Sequence, residues 1–228
     1  MNHKIVAGLI AFSVCLLLID TASAEKTHLF ILSGQSNMAG LDPSTSFTPT
    51  VIDALKGNRV IVIKIAQGGQ PIRRWYKNWK SGQDNSPDAD GVLYDKLMTA
   101  VKEGLGDQKP DTVTFVWMQG ERDAKEKFGS VYAASLNGVL DQLRKDLKHE
   151  DLNFVIGRLS DFKAGENTDW EVVRKAQVKV AEATPYGDWV DTDDLNGKKD
   201  ALHYDKPGYK ELGKRFAEKS LALLKKHE

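Results

Sequence analysis

Three short stretches of this chain place acyl-transfer chemistry at the end of an apolar run. Gly34-Gln35-Ser36-Asn37-Met38-Ala39-Gly40 directly follows Leu29-Phe30-Ile31-Leu32. A serine in a tight turn after a strand can hold its hydroxyl exposed. The amides of the next helix can then face a developing oxyanion. The competing reading is a serine that simply caps that helix. An ordinary G-x-S-x-G elbow is disfavoured, because Met38 stands where the second glycine belongs.

A serine nucleophile needs a base, and four histidines lie downstream of residue 24: His28, His149, His203 and His227. His28 opens an apolar run, His149 sits in a charged turn and His227 is in the terminal tail. His203 stands in Asp200-Ala201-Leu202-His203, just ahead of a helical pattern. An aspartate three residues earlier can reach ring Nδ1 and leave Nε2 for a serine hydroxyl. Asp193, Asp194 and Asp205 are rivals for the orienting carboxylate, and a solvated histidine near a helix start is the bland alternative. Activity is expected to rise as the imidazole loses its proton.

Acyl transfer also needs oxyanion donors. The Ser36 amide is one candidate. Gly68 and Gly69, which end a second apolar run, can offer an amide with no side chain in the way. Gln119, at the end of a third run, can present a side-chain NH2. A glycine turn and a solvated glutamine are the alternatives. Gly120 and Glu121 follow as supporting residues. Glu121 either orients a loop through hydrogen bonds or pairs with Arg122, and Asp123 is read the same way. Arg73, Trp75 and Lys77 form an aromatic and cationic stretch that could stack on and hydrogen-bond a sugar. The alternative is that Trp75 packs under its loop while Arg73 and Lys77 are solvated.

The elements that must position these residues are legible from patterning. Val60–Ala66, Val113–Trp117 and Phe154–Ile156 join Leu29–Leu32 as β-branched or aromatic runs, and Trp189-Val190 is a weak fifth. Such runs read as buried parallel strands. Between them, Leu93, Leu97, Val101 and Leu105 repeat every four residues and end at Gly106. Tyr132, Leu136, Leu140, Leu143 and Leu147 follow helical spacing. Thr168 and Glu171 fit a capping box ahead of Trp170, Val173, Gln177 and Val180. A last helix starts near Asp205 and Pro207 and buries Tyr209, Leu212 and Phe216. The alternation predicts one doubly wound α/β domain of about five parallel strands between helical layers. In such sheets ligands bind at the carboxyl ends of strands, the rim that gathers Ser36, Gly68-Gly69 and Gln119-Gly120.

Composition sets the outer limits. The chain has 228 residues, 41% hydrophobic and 28% charged, with 32 basic and 32 acidic side chains. The zero net charge disfavours nucleic acid or an anionic membrane as partner. Asn2-His3-Lys4, an apolar run from Ile5 to Ile19, and Ala22-Ser23-Ala24 follow the order of a secretory signal peptide. Cleavage after Ala24 would leave one domain over 25–228, exported to periplasm or medium and not held at the membrane. The apolar run is short for a transmembrane anchor. The one cysteine, Cys15, lies in the removed segment, so disulfides, a thiol nucleophile and cysteine metal sites are not expected.

The motifs also carry a resemblance. Leu32-Ser33-Gly34-Gln35-Ser36-Asn37-Met38-Ala39-Gly40 resembles the first block of the sialate O-acetylesterase and carbohydrate esterase family 6 group, within the SGNH (GDSL-like) hydrolases. Ala66-Gln67-Gly68-Gly69 resembles its glycine block. Trp117 to Ala124 is similar to its W-x-Q-G-E-S-D-A block, and Asp200 to His203 matches its D-x-x-H block. The resemblance implies the flavodoxin-like SGNH fold, with Ser36 as nucleophile, His203 as base and Asp200 as its partner. It implies Ser36, a glycine of the second block and Gln119 as oxyanion donors, and no metal or other cofactor. Arg122 departs from the pattern, which often has serine there; it could pair with Glu121 or reach a substrate. The implied function is removal of O-acetyl groups from a carbohydrate of acetylxylan or sialate type. An esterase on small or lipid acyl esters and a non-catalytic sugar-binding domain are the alternatives.

Overall fold

The computed structural model describes residues 25–166, 168–198 and 200–227. The proposed signal segment lies outside the described residues. Five strands form one parallel sheet: β1 (Thr27–Gly34), β2 (Arg59–Ala66), β3 (Thr112–Met118), β4 (Asn153–Gly157) and β5 (Gly187–Val190). They are ordered β2-β1-β3-β4-β5. The expected doubly wound three-layer architecture is what forms.

Alternation along the strands explains the layers. Leu29, Ile31, Val113, Phe115, Trp117, Phe154 and Ile156 point to one face. They pack with α3 (Val92–Leu105), α5 (Gly129–Leu147) and α6 (Thr168–Glu182). Phe30, Leu32, Val116, Met118 and Val155 point to the other. They meet α2 (Phe47–Ala54) and α7 (Lys206–Lys226). Both faces are therefore covered, which is why these strands read as apolar runs rather than as alternating ones. Among the described residues no helix is long and apolar enough to cross a membrane.

The site follows from topology. From the first strand the chain moves outward to β2, then returns past β1 to β3. The carboxyl ends of β1 and β3 are register partners, Gly34 opposite Met118. The chain leaves these two ends in opposite directions. After β1 it enters the short α1 (Ser36–Gly40), whose Met38 joins the α2/α7 core. After β3 it enters α4 (Glu121–Lys125), whose Ala124 joins the core on the other face. The divergence opens the crevice that such sheets use for ligands.

Candidate active site

Ser36 is the first residue of α1, so its N–H lies outside the helix's own hydrogen bonding. The turn that carries it is clamped. Gln35 N donates to the Met118 carbonyl at 2.9 Å. Gln35 Oε1 accepts from the Arg122 amide at 3.2 Å, tying the turn to the start of α4. The second glycine turn approaches from the β2 side: a Cβ built on Gly68 would lie 3.7 Å from Ser36 Cβ, and Gly69 adopts φ +68°.

His203 arrives on the loop between β5 and α7. Its Nδ1 is hydrogen-bonded to Asp200 Oδ2, and Nε2 makes no hydrogen bond among the described residues. Asp200 Oδ1 accepts from the Leu202 amide at 3.0 Å, which folds the loop into a tight turn. The His203 hydrogen bond, then that of the Leu202 amide, hold the Asp200 carboxyl below its ordinary range, so it is ionised at neutral pH. The rival aspartates are engaged elsewhere. Asp193 pairs with Arg158 and Arg174, and Asp194 with Arg215. Asp205 caps α7 by accepting from the Gly208 amide.

Ser36, Gly69, Glu121, Arg122 and His203 line one cavity of about 560 Å³. Its remaining wall carries no site signal in the sequence. Phe162 and Lys163 come from a single turn after β4, and Trp170 and Lys125 from α6 and α4. Phe162 meets Trp170 edge-on, with centroids 5.8 Å apart. Trp170 belongs to the α6 core stripe expected from the sequence, and most of it is indeed buried.

Six expected site residues do not line this cavity: Asp200, Gly68 and Gly120 stand next to residues that do, whereas Trp75, Arg73 and Gln119 are held beneath or away from it. Trp75 is fully buried: its Nε1 donates to Ser33 Oγ at 2.9 Å and its ring stands edge-on to Trp117. It packs under the loop and offers no face to a sugar. Arg73 is held by Glu126 at 2.6 Å and lies over the Trp79 ring, so it too is structural. Gln119 lies beneath the rim with no exposed surface. Its Nε2 donates to Asp123 Oδ2 at 2.6 Å and to the Gln70 carbonyl at 3.1 Å. Both amide hydrogens are thus used, and serving an oxyanion requires releasing one of them. The block is fixed from below, where Tyr132 and Gln177 both donate to the Gln119 carbonyl. Gly120 takes φ +146° at the start of α4 against Val173.

Arg122 does not pair with Glu121. Its Nε is held by Glu126 at 2.5 Å. Glu121 instead accepts from Asn37 Nδ2 at 3.3 Å through Oε1, and its buried Oε2 has no partner among the described residues. Burial pushes the Glu121 carboxyl up to about 7, from an ordinary value of 4.5. Asp123, buried beside it, is raised to about 6 by the same loss of water.

The Glu121 shift has a testable sign. Between about 4.5 and about 7 the folded chain holds a proton that the unfolded chain has released. Stability therefore falls as pH rises through that window; the contribution is complete below it and lost above it. Glu121→Gln keeps an acceptor for Asn37 and cannot ionise. Its melting temperature should match wild type near pH 5. By pH 8 it should exceed wild type by about 5 °C or more, which corresponds to roughly 2–3 kcal/mol. A gap that does not grow with pH would contradict an ionising buried Glu121.

Comparison with known proteins agrees with this fold. The family model described as carbohydrate esterase, sialic acid-specific acetylesterase matches residues 39–222. A protein of Arabidopsis thaliana superposes with a TM-score of 0.68 at 20% identity, over 86% of this chain and 98% of that one. A carbohydrate acetylesterase of Xanthomonas citri superposes at 0.63 with 17% identity, over 83% of this chain and 54% of that one. A member of the lipolytic G-D-S-L family of Veillonella parvula superposes at 0.54 with 14% identity, over 86% and 98%. At such identities the superpositions establish a shared fold.

Proposed function

The chain belongs to the sialic acid-specific acetylesterase family of carbohydrate esterases, and on that premise we propose that Ser36, His203 and Asp200 carry its reaction. It is a carboxylic ester hydrolase acting on carbohydrate acetyl groups. The observation that carries the assignment is the meeting of Ser36 with the His203–Asp200 pair at one cavity.

Ser36 Oγ attacks the acetyl carbonyl as its proton passes to His203 Nε2. Asp200 holds the imidazole by Nδ1 and stabilises the imidazolium that forms. The tetrahedral oxyanion is met by the Ser36 amide and by the glycine turn at Gly68-Gly69, which abuts it. Gln119 backs that rim from beneath. His203 then protonates the departing sugar oxygen. The same histidine activates a water that attacks the acetyl-enzyme and releases acetate.

The cavity offers both kinds of contact that a sugar uses. Phe162, Trp170 and Leu202 supply an apolar side, while Arg122, Lys125 and Lys163 supply charged donors. Acetylated glycans of the acetylxylan or sialate type are the substrates proposed. Residues 1–24 are proposed as a signal peptide, with export of a single domain over 25–228. Acetate release from acetylated sugars, measured beside release from octanoyl esters, tests the reading. Turnover of acetyl and not octanoyl esters is expected. Preference for octanoyl esters would overturn it, and so would sugar binding without turnover.

A further inference from the structure

We propose that Asn37 is a positioning residue that locks the loop carrying the base to the turn carrying the nucleophile. The proposal rests on the assignment of Ser36 and His203 above. Asn37 follows Ser36 directly, and its side chain is turned away from solvent, with 2% of the residue exposed. Its Nδ2 donates to the backbone carbonyl of Leu202, the neighbour of His203, at 3.1 Å. It also donates to Glu121 Oε1 at 3.3 Å. Its Oδ1 accepts from the Tyr209 hydroxyl at 3.2 Å. One amide therefore joins three elements distant in sequence: the nucleophile turn, the start of α4, and the loop that runs into α7.

Every polar atom of this amide is engaged, and the pattern fixes its orientation. Two acceptors flank Nδ2, and a hydroxyl meets Oδ1. A buried side-chain amide with each group satisfied is a rigid link. The seat is also shaped for the helix that follows. A Cβ built on Gly40 would lie 2.5 Å from the Tyr209 ring, so the end of α1 leaves room for that ring. Among the described residues, Asn37 is the side chain that hydrogen-bonds the Leu202 carbonyl. Asp200 and His203, by contrast, are bonded to one another within their own loop. Losing Asn37 thus shifts the pair as a unit relative to Ser36, and leaves its internal contact intact.

That distinction sets the test. With an aryl acetate as substrate, Asn37→Ala should lower kcat by about 10–100-fold, the scale of an ångström-level misplacement of reacting groups. KM should change little. The pH midpoint of kcat should move less than in Asp200→Ala, because Asp200 keeps its contact with His203 while Glu121 on α4, the other carboxylate facing it, loses only the Asn37 hydrogen bond. Asp200→Ala, the comparison variant, should move that midpoint. Tyr209→Phe removes one of the three bonds and should give a smaller loss of the same kind, so the proposal remains testable if Asn37→Ala folds poorly. Wild-type kcat in both variants would overturn it. So would a loss accompanied by a pH midpoint shifted as far as in Asp200→Ala, since that means the pair itself was disturbed. A wild-type protein that releases no acetate would overturn the Ser36–His203 assignment instead, and it would be seen before any variant is compared.

Discussion

Ser36→Ala should lower kcat for acetate release by about 10⁴-fold or more, with little change in melting temperature. The side chain stands at the first position of a five-residue helix and lines the cavity. The clamps that hold the turn come from Gln35 and Asn37 on either side of it. Alanine therefore removes the proposed nucleophile and leaves the scaffold. The proposed oxyanion donors and the cavity survive, so a residual rate above that of water should remain. His203→Ala should cost a similar amount. The double variant should cost scarcely more than either alone, because the two residues act as one unit. Steady-state kinetics on one acetyl ester checks all three variants. An additive double variant would mean that Ser36 and His203 do not share a proton.

Gly34→Ala should be the most damaging substitution for folding. Gly34 ends β1 at φ +146°, a region that side chains rarely enter. A Cβ there would lie 1.9 Å from the Met118 carbonyl oxygen, and that oxygen accepts the Gln35 amide. The obstacle is backbone in the centre of the sheet, so it cannot step aside as a flexible side chain would. Strain together with a lost clamp should cost about 3 kcal/mol or more. Insoluble or strongly destabilised protein is expected. Gly57→Ala is the control. It also has positive φ, +84°, but a Cβ added there would meet nothing within 4 Å. It should cost about 1 kcal/mol from backbone strain alone. Chemical denaturation of both variants tests the difference, and equal losses would contradict a steric origin at Gly34.

Much of this architecture is legible in the sequence, for physical reasons. Four strands read as apolar runs because both faces of the sheet are covered; β5, Gly187-Asp188-Trp189-Val190, reads only weakly. The longer helices α3, α5, α6 and α7 read from their stripes, since each lays one face on the sheet. Helix α2 is not legible in this way. Phe47-Thr48-Pro49-Thr50-Val51-Ile52 is rich in β-branched residues and carries a proline, which the first helical turn tolerates. Ser36, Gly68-Gly69 and Gln119 follow strand ends, where chain direction alone brings them to one rim.

The cavity walls are harder to read. Phe162 and Lys163 lie in one short turn with no periodicity to mark them. Trp170 belongs to a core stripe and to the cavity wall together. Trp75 and Arg73 show the converse. An aromatic residue beside cations has the same local composition whether it meets a sugar or the core. What decides is a partner far along the chain, Ser33 for Trp75 and Glu126 for Arg73. The same holds for Glu121, whose partner is Asn37 and not its neighbour Arg122.

The most direct test of the assignment is covalent labelling of the folded protein with a fluorophosphonate, with the adduct located by peptide mass spectrometry. An adduct on Ser36, lost in His203→Ala, is the expected result, because the hydroxyl attacks phosphorus only while the histidine accepts its proton. An adduct on another residue, or labelling of Ser36 undiminished in His203→Ala, would contradict the serine–histidine pair.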